Sequence, residues 1–250
     1  MSSSVRCKST FVSSKDGTKI ETKVYLNPNL DNKTTAAIIS HPYGPLGGNM
    51  QNNVVSALVR NFCARSFVTV CFNFRGCGNS GGRTSWTGRP ECEDYNAVVN
   101  YIVNGELKNV YSSVGPNINI KRLIICGYSY GAMIASSILP ELYPNIHCSY
   151  VFISYPVSVT WFLSAFRTKY FHECLVKLER TSVTPTSCNE ASPPKILVIS
   201  GDMDIFSRTM LNLNARPNQV EFKQFHGADH FWFGKETEII IALNEWLDGI

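Results

Sequence analysis

The sequence predicts an α/β chain, with a mostly parallel central sheet of about eight strands, an antiparallel N-terminal hairpin and helices on both faces. Three observations lead there. Short apolar runs alternate with segments of helical period through most of the chain; the first two runs flank an Asp-Gly turn; and the later runs end in polar or glycine-rich loops.

The elements follow in order. Thr10 to Ser13 and Ile20 to Tyr25 read as paired strands around Lys15-Asp16-Gly17-Thr18. Ala36 to Ser40 is an apolar strand, followed by a helical stretch from about Asn52 to Arg65 and the strand Val68 to Phe72. Pro90 suits a first helical position, and Tyr95, Val98, Val99 and Ile102 give the helix running to Val103 an apolar stripe. Leu123 to Cys126 is the next strand, leading into a helix from Tyr130 whose apolar run, Ala132 to Leu139, extends it. The strands Tyr150 to Ile153, Ile196 to Ile199 and Val220 to Phe225 precede a final helix, Lys235 to Leu247.

Composition bounds the rest. The 250 residues are 44% hydrophobic and 17% charged, enough apolar surface for one large core, and we expect a single domain over 1-250 with a short lid or insertion at 156-194. Thr181 to Pro194 is rich in Ser, Thr and Pro and reads as a surface loop. A formal charge of +4, without a dense Lys/Arg run, argues against nucleic acid as a partner. Nine cysteines without a C-x-x-C pair suggest reduced thiols, no disulfide framework and no metal site. The N-terminal residues lack an apolar signal region, and Asn32-Lys33-Thr34 reads as an unused glycosylation match; a cytoplasmic location is expected. Cys148 to Phe166 is uncharged, but Pro156 and its hydroxyl residues make it a poor bilayer span, so no transmembrane segment is expected.

The chemistry centres on Gly127-Tyr128-Ser129-Tyr130-Gly131, a G-x-S-x-G placed directly between a strand and a helix. Such an elbow forces the serine into a strained turn, and the flanking residues must be tiny. A serine hydroxyl needs an imidazole to take its proton and a carboxylate to orient that imidazole. Both follow in the chain. Ile196 to Ile199 runs into Ser200-Gly201-Asp202-Met203-Asp204, and Val220 to Phe225 into His226-Gly227-Ala228-Asp229-His230. Each loop offers two candidates. Asp204 is preferred because it lies farther past the strand end, with Asp202 left to brace the loop; His230 is preferred over His226 for the same reason. His41-Pro42-Tyr43-Gly44, after Ala36 to Ser40, lies where a backbone N–H could meet an oxyanion. Tyr43 is the first choice and Gly44 the next, since Pro42 has no N–H; Tyr130 supplies the second donor.

With these residues in view, the chain resembles the α/β-hydrolase superfamily, particularly a small, lidless-looking branch of serine hydrolases. The resemblance rests on His41-Pro42 with Gly47-Gly48, Asn73 to Gly76, the elbow, Gly201 to Asp204 and Asp229 to Phe231. It implies the α/β-hydrolase fold and cleavage of an ester, thioester or related acyl bond without a cofactor, acting on a small-molecule acyl substrate, and the aromatic content points to apolar ones. An acyltransferase using the same triad, or a non-catalytic binding protein of the same fold, are the alternatives.

Two further features need placing. Gly76-Cys77-Gly78-Asn79-Ser80-Gly81 matches the dinucleotide fingerprint formally, but no helical period follows it; a tight turn, with Arg75 pairing an acid, is the better reading. Phe162, Phe166 and Tyr170, spaced i, i+4 and i+8, read as one helical face, either core or an apolar wall beside an acyl chain.

Overall fold

The computed structural model describes residues 5–26, 35–107, 118–181, 193–207 and 220–250. Its strands are β1 (Arg6–Ser13), β2 (Lys19–Leu26), β3 (Thr35–Ser40), β4 (Val68–Phe72), β5 (Arg122–Tyr128), β6 (His147–Ile153), β7 (Ile196–Gly201) and β8 (Val220–Phe225). The helices are α1 (Asn53–Ala64), α2 (Arg89–Val103), α3 (Tyr130–Ala135), α4 (Thr160–Leu163), α5 (Thr168–Thr181) and α6 (Glu236–Asp248). The glycosylation match at Asn32 and residues 182–192 of the Ser/Thr/Pro-rich segment lie outside the described residues.

One eight-stranded sheet runs β1-β2-β4-β3-β5-β6-β7-β8. β1 and β2 form the expected antiparallel hairpin, β2 pairs antiparallel with β4, and all later pairings are parallel. Between β3 and β5 the connections leave in opposite directions, and the crevice above the carboxyl ends of two such strands is where ligands bind in open α/β sheets.

Strand side chains alternate between two buried faces. Along β3, Ala36 and Ile38 pack with α2, α3 and α5, while Ala37 and Ile39 pack with α1 and α6. Burying each Val, Ile or Leu on this scale contributes about 1.5–3 kcal/mol, which sets the register of the sheet firmly. α1 begins where the Asn52 side chain accepts the Val54 N–H at 3.1 Å. Tyr95 of α2 donates its hydroxyl to Ile38 O at 2.7 Å, fixing that helix across β3.

Several expectations are corrected. α3 ends at Ala135, well before Leu139: the Ser136 and Ser137 hydroxyls bond back to Met133 O and Ile134 O at 2.7 Å, and Leu139 precedes Pro140, which disfavours helix there. β6 begins at His147, three residues early, because His147 and Cys148 pair with Arg122 and Leu123. Phe162, Phe166 and Tyr170 do not share a helix face. Positive φ at Ala165 (43°) and Phe166 (67°) separates α4 from α5, and all three rings are exposed, so they are not core.

The glycine-rich segment after β4 forms turns, and α2 starts only at Arg89. Arg75 anchors that loop as a bidentate partner of buried Asp94, at 2.6 and 2.9 Å, and reaches Asp16 of the hairpin turn at 2.8 Å. Among the described residues, the eight cysteines are free thiols, and no helix is long and apolar enough to cross a membrane.

Candidate active site

Ser129 stands at the carboxyl end of β5 with φ 55° and ψ −121°, a conformation a non-glycine residue adopts only when its surroundings enforce it. They do so from both sides. Its N–H donates to Ile153 O at 2.9 Å and its carbonyl accepts the N–H of Ala132 at 2.9 Å. A Cβ on Gly127 would overlap the backbone of Gly131 and Ala132; one on Gly131 would lie 2.7 Å from His41 O and Ser40 Oγ. The two glycines are therefore what lets β3, β5 and α3 meet at one point.

The loops after β7 and β8 bring Asp204 and His230 to this point. Ser129 Oγ lies 2.8 Å from His230 Nε2, and His230 Nδ1 lies 2.9 and 3.0 Å from the two oxygens of Asp204. An ionised Asp204 only accepts, so Nδ1 carries the proton and the Nε2 lone pair faces the serine hydroxyl. Asp204 is fully buried. Burial alone would raise its carboxyl, but the hydrogen bond and charge of His230, with the Ser207 hydroxyl at 2.9 Å, hold it below the ordinary range. The Phe206 N–H adds a donor at 3.0 Å.

His230 is held as closely. The Tyr128 hydroxyl donates to its carbonyl at 2.6 Å, and the Phe206 ring stands edge-on at 4.8 Å. Asp229 caps the turn, accepting from the N–H groups of Phe231 and Trp232 at 2.9 and 3.1 Å. Buried Trp232, at φ 58°, donates Nε1–H to Ser154 Oγ at 2.8 Å.

The second candidates in each loop find each other. Asp202 accepts the Gly227 N–H at 2.7 Å and pairs with His226 Nδ1 at 2.7 Å; it braces the loop, as its turn position suggests. The His226 side chain is fully exposed.

On the opposite side of Ser129, Tyr43 opens a short 3-10 turn, its carbonyl accepting the N–H groups of Leu46 and Gly48. Tyr130 is the first residue of α3, where an N–H has no acceptor within the helix. Among the described residues neither the Tyr43 nor the Tyr130 N–H enters a hydrogen bond, and the two rings pack 5.1 Å apart.

His41 has a use the sequence did not disclose. Its Nε2 accepts the Phe74 N–H at 2.9 Å and its Nδ1 lies 2.6 Å from Pro42 O, so a neutral imidazole ties the loops after β3 and β4. Burial pushes it down to about 4, keeping it neutral. Tyr128 and Ser207 were also missed. Tyr128 is a variable position of the elbow, and only the three-residue spacing from Asp204 to Ser207, one turn's reach, hints at the second.

Solved structures share this arrangement of the chain. An α/β serine hydrolase homologue from Coxiella burnetii superposes with a TM-score of 0.67 at 24% identity, covering 95% of this chain and 96% of its own. XC6422 from Xanthomonas campestris, a serine hydrolase described as without a lid, gives 0.65 at 20% identity over 96% and 95%. Est1E of Butyrivibrio proteoclasticus, solved with ferulic acid bound, gives 0.69 at 14% over 95% and 97%. At these identities the likeness establishes the α/β-hydrolase fold. A curated relative, the uncharacterized protein RP471 of Rickettsia prowazekii (strain Madrid E), is 25% identical over 211 residues, 84% of this chain and 77% of that protein. Residues 16–171, which include the elbow and end before Asp204 and His230, match the X-Pro dipeptidyl-peptidase (S15) family. That match spans over half of the sequence, and the chain belongs to the X-Pro dipeptidyl-peptidase (S15) family, within the α/β-hydrolase superfamily.

Proposed function

We propose that the chain is a serine hydrolase that cleaves a carboxylic ester, thioester or related acyl bond through Ser129, His230 and Asp204. The continuous hydrogen-bonded line from Ser129 Oγ through His230 to buried Asp204 carries this reading. As Ser129 Oγ bonds to the acyl carbon, its proton passes to His230 Nε2 and the carbonyl electrons move onto oxygen. The N–H groups of Tyr43 and Tyr130 hold that oxyanion; removing one such donor elsewhere costs about 3–4 kcal/mol in the transition state. Collapse expels the alcohol or thiol, which takes the proton from His230. Water then repeats the steps on the acyl-serine, releasing the acid and restoring the Ser129 hydroxyl. Asp204 stays ionised throughout and stabilises the transient imidazolium. A single domain, a small acyl substrate, no cofactor and a cytoplasmic setting belong to the same reading.

A second reading, hydrolysis of a peptide bond after proline, is favoured by the family match over residues 16–171. The test begins with fluorophosphonate labelling of the full chain, with the adduct located by peptide mass spectrometry. Labelling on Ser129 that is lost in His230→Ala is expected, and labelling elsewhere, or none in folded protein, refutes the triad. Parallel turnover of p-nitrophenyl esters and X-Pro p-nitroanilides then separates the readings: faster ester cleavage supports the first, selective anilide cleavage the second. Added alcohols that capture the acyl group in place of water would mark an acyltransferase.

A further inference from the structure

Among the described residues, most of the exposed large apolar side chains follow strands at the carboxyl edge of the sheet. Leu46 follows β3, Trp86 follows β4, Trp161 and Phe166 follow β6, Met203 follows β7 and Phe233 follows β8. Their exposure is extreme for such residues: Leu46 84%, Trp86 75%, Phe166 80% and Phe233 76%. Scattered exposed hydrophobics are ordinary, but a ring of them around one site is not.

The five loops form one connected rim. The Phe74 N–H donates to His41 Nε2, joining the loops after β4 and β3. The Ser158 N–H donates to Phe206 O at 3.0 Å, joining those after β6 and β7. Phe206 packs on His230, joining the loops after β7 and β8, and Asn53 Nδ2 donates to Phe231 O at 3.0 Å, joining the loop after β8 to α1.

The outward pose is built in. Phe166 combines a left-handed backbone with a solvent-exposed ring, two unfavourable conditions at one residue. The Trp161 ring supports it at 5.7 Å, and Phe233 stacks on Phe231 at 6.2 Å, so the rings are pre-ordered while still facing water.

Charge supplies the partner's chemistry. Segments 41–52, 73–90 and 154–170, on three of the five loops, contain no Asp or Glu, yet carry Arg75, Arg83, Arg89, Arg167 and Lys169; of the acids after β7 and β8, Asp204 is buried, Asp202 pairs with His226 and Asp229 caps a turn. Arg75 is buried and paired; the other four are exposed, Lys169 with Glu173 at 3.9 Å one turn along α5. Exposed Trp and Phe interleaved with cations are what the interface of an anionic bilayer binds, the rings entering the headgroup boundary and each cation adding about fivefold in affinity. A second copy suits the rim less well, since a two-fold contact would set these cations against one another.

We propose that this rim docks the protein on an anionic phospholipid surface and presents acyl lipids from it to Ser129. The substrate half rests on the hydrolase reading above; the docking half does not.

The experiment is flotation of the full chain with phosphatidylcholine vesicles, with and without phosphatidylserine, using wild type and Ser129→Ala. Both should float with the phosphatidylserine vesicles, at least tenfold more strongly than with phosphatidylcholine alone. Trp161→Ser combined with Phe166→Ser and Phe233→Ser should lower the partition constant at least tenfold. Arg83→Glu with Arg167→Glu, a surface change that leaves every ring in place, should abolish the preference for phosphatidylserine. No flotation, equal partition onto both vesicles, or partition unaffected by either variant would overturn docking. So would self-association in sedimentation that the aromatic variant abolishes, which would assign the rim to a second copy. Flotation of Ser129→Ala reports on docking alone, and fluorophosphonate labelling in buffer on the hydrolase reading alone, so either can fail without the other.

Discussion

The loops after β7 and β8 are joined by two Asp–His pairs of the same chemistry. His226 and Asp202 stand 2.7 Å apart, His230 and Asp204 2.9 Å. By distance the outer pair is the tighter. It is also open to solvent, and its aspartate spends a second acceptor on the Gly227 N–H, which shapes a turn. The inner aspartate is fully buried, and its histidine meets a third group, Ser129 Oγ, at 2.8 Å. A contact length therefore says little about which carboxylate–imidazole pair can do chemistry. Exclusion of water, which strengthens the interaction, and a third member that has a proton to give are what set the inner pair apart.

Breaking the inner pair should have effects of a different order from breaking the outer one. Ser129→Ala and His230→Ala should each lower ester turnover by about 10⁵-fold or more, the scale of measured triads, in steady-state assays with enough enzyme to exclude wild-type contamination. Asp204→Asn should cost about 10³- to 10⁴-fold while the protein stays folded, because an amide can set the wrong tautomer of His230 without emptying its place.

His41 sharpens the contrast as a third histidine, buried but without a carboxylate. Its pKa, pushed down by burial to about 4, lies below the unfolded value, so the unfolded chain binds the extra proton between those two values. Its contribution is thus present above about pH 6.5 and lost as pH falls towards 4, by about 3 kcal/mol. Denaturant melts across that window should show the slope. His41→Gln should be less stable than wild type at pH 7 and have a shallower slope. Last, Asp202→Asn and His226→Ala should leave turnover within about twofold, as befits an exposed pair screened by water. A hundredfold loss in either would mean that the outer pair shares in the reaction.

Much of the site could be read before the fold was known, for a local reason. The elbow is defined by sterics within five residues, and the Asp and His loops each follow a strand whose apolar run is unmistakable. The preference for Asp204 and His230 used only distance beyond a strand end, and the geometry brings together those two. What could not be read depends on contacts far along the chain. Nothing near His41 says that its ring accepts the Phe74 N–H, and nothing near Arg75 chooses Asp94 and Asp16 among nineteen acids. The spacing of Phe162, Phe166 and Tyr170 misled for the opposite reason. Periodicity presumes an unbroken helix, and two left-handed residues break this one.

Tyr128 sits one residue before Ser129 and grips the carbonyl of His230 through its hydroxyl. A single strand thus carries one member of the proposed triad covalently and holds the backbone of another by a 2.6 Å tether. When β5 shifts, both groups shift with it, so their separation is insulated from motions that would blur it if each loop moved alone. The two share a frame of reference.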